Sequence, residues 1–216
     1  MTMTVGLPSG DEPPWLLWAR ELQALAQTGL AFSADPYDLE RYQRIRVIAA
    51  EMYARGSDTP IERIRSLFAQ ESGYATPKVD VRGAVFRDGR ILLVQEAVDG
   101  GWTLPGGWAD VSQSAREGVE REIREESGYE ARAIKLAAVY DYRRQGNPNP
   151  MPHSIYKVFF VCELLGGEAR TSLETTAVDF FSADALPPLS LGRTNPAQIA
   201  RMFSHWRDPT LAADFD

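Results

Sequence analysis

The stretch 106–129, "GGWADVSQSAREGVEREIREESGY", constrains this chain more than any other, because it runs a glycine turn into a helix crowded with carboxylates. Ser114 and Glu117 have capping-box spacing, which gives the first-turn amides an acceptor and the loop "LPGGWADVSQ" a defined end. A helix is therefore predicted from about Ser114. With Glu122 taken as zero at 100° per residue, Glu126 lies about 40° to one side and Glu125 about 60° to the other. Ala115, Val119 and Ile123 fall at about 20°, 60° and 100°, so Glu126 projects into the apolar arc. A carboxylate at a buried edge loses hydration without an evident partner. Gly118 costs up to ~1 kcal/mol inside a helix and is expected to leave open space beside the acids. Both costs make sense if a hard divalent cation, Mg²⁺ or Mn²⁺, is held there by oxygen ligands. The competing reading is a solvated acidic face, with Arg121 and Arg124 as local ion-pair partners.

Hydrophobic periodicity organises the rest. Upstream, Trp15, Trp18, Leu22 and Leu25 recur at helical spacing, with Gly29 as a stop. A second helix is predicted over about 37–54 through Leu39, Tyr42, Ile45, Ile48 and Met52, and a third from Pro60 to about Glu71 through Ile61, Ile64 and Leu67. At "GYATPKVDVRGAVF" the pattern changes to alternation at Val79, Val81 and Val85, and "ILLVQE" after Asp88-Gly89 reads as a hairpin partner. Further strands are expected in "AIKLAAVYDY", "SIYKVFFVCEL" and "TAVDFF", with "RRQGNPNPMPH" as a loop between the first two. Asn195, Pro196 and Gln198 signal a last helix. The expectation is a helical domain over 1–76 and an α+β domain with a mixed sheet over 77–216. A dinucleotide-binding fold is disfavoured, because no GxGxxG turn follows the first strand.

Composition narrows the function. A chain of 216 residues with 44% apolar content can bury a substantial core. The net charge of −7 gives no electrostatic reason to expect a nucleic-acid polymer or an anionic membrane as partner, whereas a small metal-neutralised nucleotide is easier to admit. The start "MTMTVGLPSGDEPP" has no leader pattern and no run approaches the roughly 20 apolar residues of a membrane span, so a cytoplasmic protein is expected. Cys162, the single cysteine, sits in the apolar run "VFFVCELL" and reads as core.

With these residues in view, the stretch resembles the signature of the Nudix hydrolases. Gly107 takes the first glycine, Arg121, Glu122 and Ile123 match the Arg-Glu-aliphatic element, and Glu125, Glu126 and Gly128 follow in place. Gln113 stands where glutamate is usual, and Tyr129 where an aliphatic residue is usual. The resemblance implies an α/β/α sandwich that hydrolyses a diphosphate bond in a nucleoside diphosphate linked to another group. It implies Mg²⁺ or Mn²⁺ bound by Glu122, Glu125 and Glu126 with Gly107, and Gly106, Asp110, Gln113, Arg121 and Gly128 shaping the loop. Arg121 is expected to anchor that loop, away from the central carboxylate arc. Glu174, before the last sheet strand, is a further base candidate, and Glu96 a weaker one.

The "WLLWARELQALAQTGL" opening and "PHSIYKVFFVCEL" are similar to a Nudix subgroup with an added N-terminal helical domain, associated with CDP-choline, ADP-ribose or UDP-linked substrates. ADP-ribose and CDP-choline are first candidates, and a homodimer through the added helices is expected. Candidate substrate contacts are Arg82, which alternatively pairs with an acidic group of its own domain, Trp108, Arg143, Arg144 and His153. Tyr140 and Tyr142 are placed on one strand face, in the core or against a base, and Trp102 is assigned to packing. The alternative functions are a catalytically inactive nucleotide-sensing or protein-interaction module, motivated by Gln113, and a nucleoside triphosphate pyrophosphohydrolase.

Overall fold

The change of hydrophobic period at Pro77 separates two units of the computed structural model, which describes residues 13–146 and 151–216. One unit is the chain up to Pro77 with Asn149–Ser154; the other is Lys78–Pro148 with Ile155–Asp216.

The first unit holds three helices, α1 (Pro14–Phe32), α2 (Pro36–Ser57) and α3 (Ile61–Ala69). Pro14 and Pro36 sit where a missing N–H costs nothing, and Asp35 caps α2 by accepting from the Tyr37 and Asp38 amides. Leu16, Ala19, Ala49, Ala50, Tyr53, Ile64 and Phe68 form its core. Two expectations need correction. Gly29 does not end α1, which continues to Phe32; a Cβ at Gly29 would lie 2.4 Å from the Tyr42 ring, so the glycine serves close helix contact. The buried row of α1 is Leu16, Ala19, Gln23 and Ala26, whereas Trp18 and Leu25 are each 56% exposed. Small residues on both helices, Ala19 against Ala49 and Ala50, allow the approach that a tryptophan would block.

The second unit begins with the hairpin β1 (Lys78–Arg87) and β2 (Arg90–Glu96), closed by Asp88-Gly89, both with positive φ as a two-residue hairpin turn demands. There follow β3 (Trp102–Thr103), α4 (Ala115–Ser127), β4 (Tyr129–Asp141), a single 3₁₀ turn (Tyr142–Gln145), β5 (Ile155–Gly167), β6 (Thr175–Phe181), α5 (Pro196–Arg207) and β7 (Asp214–Phe215). The sheet runs β3-β2-β1-β5-β4-β7, with β6 also pairing β2; β1–β5 and β4–β7 are parallel and the other pairings antiparallel. It is therefore mixed.

Alternation along β1 and β2 decides which helix each residue meets. Val81, Val85 and Leu92 pack with Val119 and Ile123 of α4; Ala84, Phe86, Ile91 and Leu93 pack with Ile199, Met202 and Phe203 of α5. The result is the expected α/β/α sandwich. Both predicted capping boxes form, Ser114 with Glu117 and Asn195 with Gln198. Cys162 is buried in the α4-side core, where burial pushes its thiol pKa up. Tyr140 and Tyr142 are both buried, but Tyr142 lies in the 3₁₀ turn because Asp141 caps it there, accepting from the Arg143 amide. Among the described residues no helix is long and apolar enough to cross a membrane.

Gly118 has room for a methyl group. It is buried, and a Cβ built on it would meet Val81 Cγ2 at 3.8 Å and Gln113 Oε1 at 3.9 Å, ordinary contacts. The space lies towards β1 and the loop. Gly118→Ala is accordingly expected to stabilise the protein by about 0.5–1 kcal/mol through helix propensity, at unchanged kcat. A thermal melt checks this, and a lowered midpoint would show that the space is needed.

Candidate active site

Between residues 79 and 83 the outer edge of β1 is taken by the glycine loop. Val81 N donates to Gly107 O (2.8 Å), Gly83 N to Pro105 O (2.9 Å), and Ala109 N to Val79 O (2.9 Å). Gly106, in the middle, has φ +143°, and a Cβ there would sit 1.9 Å from Val81 O, so only glycine allows this approach. Its N–H points away from β1 and donates to Glu126 Oε2 at 2.8 Å. Gly107 faces Glu122, whose carboxyl lies 3.4 Å from where a Gly107 Cβ would be. Gly128 closes α4, its amide bonded to Arg124 O.

Glu122 and Glu126, one helical turn apart, thus both meet the turn. Glu126 is 6% exposed, and among the described residues it has no ion-pair partner within 4 Å; the Gly106 amide is the hydrogen-bond donor to its carboxylate. Burial raises its pKa to about 7, against the opposing pull of Arg82 and the Gly106 N–H. Burial also raises the pKa of Glu122, opposed by Arg121. Glu125 is more exposed and pairs with Arg121 at 2.7 Å.

Arg121 does not lie away from the carboxylates. Its guanidinium reaches Asp110 (2.8 Å), Glu122 (2.9 Å), Glu125 (2.7 Å) and Gln113 Oε1 (3.2 Å). A long side chain with five donors can lean across the helix, and four acceptors on one side draw it there. Its loop-anchoring task is visible in the bonds to Asp110 and Gln113. A neutral Gln113 is enough for its part, because Arg121 needs only an oxygen.

The remaining candidates are scattered. Glu174 is exposed just before β6; its carbonyl accepts from Ala97 N (2.8 Å), and its charge helps raise the pKa of Glu96. Arg82 is buried with a fork on Asp80 (2.9 and 2.7 Å) and a bond to Leu104 O (3.1 Å), so the acidic-partner alternative describes it. Trp108 is 47% exposed and bridges Asp80 in the backbone; Trp102 packs edge-on against Phe181. Arg143 grips Asp141 with its fork, and Arg144 is exposed. His153 belongs to the segment Asn149–Ser154 of the first unit, and 147–150 of the same loop lie outside the described residues.

Two buried charges, Asp80 and Lys157, were not singled out in the sequence, nor was the partly exposed Arg193 that pairs with buried Glu96 at 2.9 Å. Lys157 lies 3.7 Å from Asp80 and donates to Arg193 O, and burial lowers its pKa to about 8. Charged residues inside the apolar runs "VDVRGAVF" and "IYKVFFV" were the available signal.

The donor chemistry fits a hard divalent cation: buried Glu126 and half-buried Glu122, both with raised pKa values, beside exposed Glu125 and a glycine backbone. The cage is not preformed, for among the described residues no three Asp, Glu, His or Cys side chains converge on one point.

Comparison with known proteins gives the family. Residues 76–203 match the family described as NUDIX domain, and residues 13–68 match UDP-X-like, N-terminal oligomerisation domain. The chain is 46% identical over 202 residues to YjhB of Bacillus subtilis (strain 168), a candidate ADP-ribose pyrophosphatase, covering 94% of this chain and 97% of that one. A crystal structure of an ADP-ribose pyrophosphatase from Streptococcus suis 89-1591 is 44% identical with TM-score 0.60, over 65% of this chain and 100% of that chain. A crystal structure of UDP-X diphosphatase is 33% identical with TM-score 0.60, over 94% and 98%. Fold, site and matches define a pyrophosphohydrolase, an enzyme acting on phosphorus-containing anhydrides. The chain belongs to the Nudix family.

Proposed function

We propose that this protein hydrolyses the diphosphate bond of a nucleoside diphosphate linked to a second group, with ADP-ribose as the foremost substrate and CDP-choline next. The products are a nucleoside monophosphate and the phosphorylated second group. The observation that carries this reading is Glu126, a buried carboxylate with a raised pKa that accepts from the Gly106 amide of the glycine turn and, among the described residues, has no ion-pair partner within 4 Å. Such a group is costly to the fold and is explained by a cation that it helps to hold.

Glu122, Glu125 and Glu126 would hold Mg²⁺ or Mn²⁺, with Gly107 contributing backbone. When bound, the ion polarises phosphoryl oxygens and lowers the pKa of water. The chain itself supplies orientation. Gly106 fixes the Glu126 carboxylate, Arg121 fixes Glu122 and Glu125 relative to the loop, and Asp110 and Gln113 hold Arg121. Glu174, on the exposed turn before β6, is the candidate to accept a proton from the attacking water. Arg144 and Trp108 are assigned to the substrate's far end.

We also propose a cytoplasmic homodimer that covers the exposed apolar side chains of α1, Trp18, Leu25 and Phe32. The reading is supported by the matched N-terminal oligomerisation family and by the cost of leaving such side chains in water. An initial-rate panel of ADP-ribose, CDP-choline, UDP-sugars and nucleoside triphosphates, each with Mg²⁺ and Mn²⁺, tests the activity. ADP-ribose is expected to give the highest kcat/KM, with no turnover after chelation. Turnover confined to triphosphates would replace the proposed substrate class.

A further inference from the structure

The Asp80–Arg82 pair is costly where it lies. Both residues are buried, at 7% and 4% exposure, which leaves no room for Arg82 to grip a substrate. Buried ion pairs can often be replaced by apolar side chains at no loss of stability, so stability alone does not explain this one. Standing two residues apart on β1, the two side chains share a face, and Arg82 Nε and Nη2 take the two Asp80 oxygens at 2.9 and 2.7 Å. The third direction of the fork is spent on Leu104 O at 3.1 Å, the residue that enters the glycine turn.

The turn is then held at three carbonyls: Leu104 by Arg82, Pro105 by the Gly83 amide and Gly107 by the Val81 amide. The Gly106 amide of the turn so held meets Glu126. We propose that Arg82, oriented by Asp80, is a positioning residue that pins the Leu104–Gly107 turn so that the Gly106 N–H holds Glu126 in place for cation binding. This deepens the proposed function and rests on its assignment of Glu126. Lysine cannot substitute, because a single ammonium cannot bridge two carboxylate oxygens and a carbonyl in one plane.

The test is Mn²⁺ affinity, read from the electron paramagnetic resonance signal of free Mn²⁺, together with kcat and KM, for the full-length parent and Arg82→Lys. Arg82→Lys is expected to fold, to bind Mn²⁺ roughly 10-fold more weakly and to lose on the order of 30–100-fold in kcat with little change in KM. The same substitution placed in Glu126→Gln is expected to change Mn²⁺ affinity by less than about 2-fold, because the group through which Arg82 acts is already gone. The proposal is overturned by a folded Arg82→Lys with parental affinity and kcat, or by an undiminished affinity loss in the Gln background. If Arg82→Lys does not fold, Asp80→Asn keeps a carbonyl oxygen for Arg82 and takes its place; a weaker loss in the same sense supports the proposal and parental behaviour sinks it. A parent that turns over no nucleotide defeats the proposed function, while the Mn²⁺ comparison still decides the role of Arg82.

Discussion

Glu126→Gln is expected to cut kcat by roughly a thousandfold, since a bound cation supplies several kcal/mol of transition-state stabilisation. The same substitution should make the metal-free protein more stable. Glutamine keeps an oxygen for the Gly106 amide and removes the buried charge. The folded-state pKa of about 7 lies above the ordinary 4.5, so ionising Glu126 opposes folding. Below pH 4.5 the carboxyl is neutral in both states and carries no penalty. As pH rises from 4.5 through 7 the penalty grows to its full size, on the order of 3 kcal/mol for that gap. Parent and variant melting curves should therefore converge in acid and separate at pH 8, with the variant higher. Added Mn²⁺ should reverse the order by stabilising the parent more than the variant. A variant that melts below the metal-free parent at pH 8 would mean that the charge is compensated by something other than a cation.

The second large effect separates two adjacent glycines. At Gly106 an added methyl would sit 1.9 Å from Val81 O with the backbone at φ +143°, so the turn must leave β1 or distort. Gly106→Ala is expected to cost about 3–5 kcal/mol, lowering the melting midpoint by roughly 10 °C, and to abolish turnover. At Gly107 the atoms nearest an added methyl belong to the Glu122 carboxyl, at 3.4 Å, an ordinary contact. Gly107→Ala should fold within about 1 kcal/mol of the parent, as tolerated substitutions do, and lose activity by crowding Glu122. Paired thermal melts and initial rates decide the matter. Equal stability losses at both positions would contradict the loop geometry.

Much of this was legible before any coordinates. The capping boxes at Ser114 and Asn195 bond groups three residues apart, and the Asp88-Gly89 turn needs only its own dihedrals, so neither depends on the rest of the fold. The position of Glu126 in the apolar arc of α4 followed from helical geometry, and it is buried. Periodicity failed at α1, because it ranks residues by hydrophobicity and cannot see that Ala49 and Ala50 on the facing helix favour a small-residue row over Trp18 and Leu25. Gly29 was misread for the same reason, since it is defined by a side chain brought to it from elsewhere, that of Tyr42.

The chain by itself determined most of the elements and the carboxylate helix, because those rest on dihedral preferences and contacts within a few residues. Only the tertiary structure decided what each charge faces. Arg121 turned towards the acids, Arg143 closed on Asp141, and Arg82 settled between Asp80 and Leu104. A long guanidinium can reach several partners from one backbone position; near neighbours such as Asp80, Glu125 and Asp141 supply some, but Leu104 and Asp110 meet Arg82 and Arg121 only once the loop has folded.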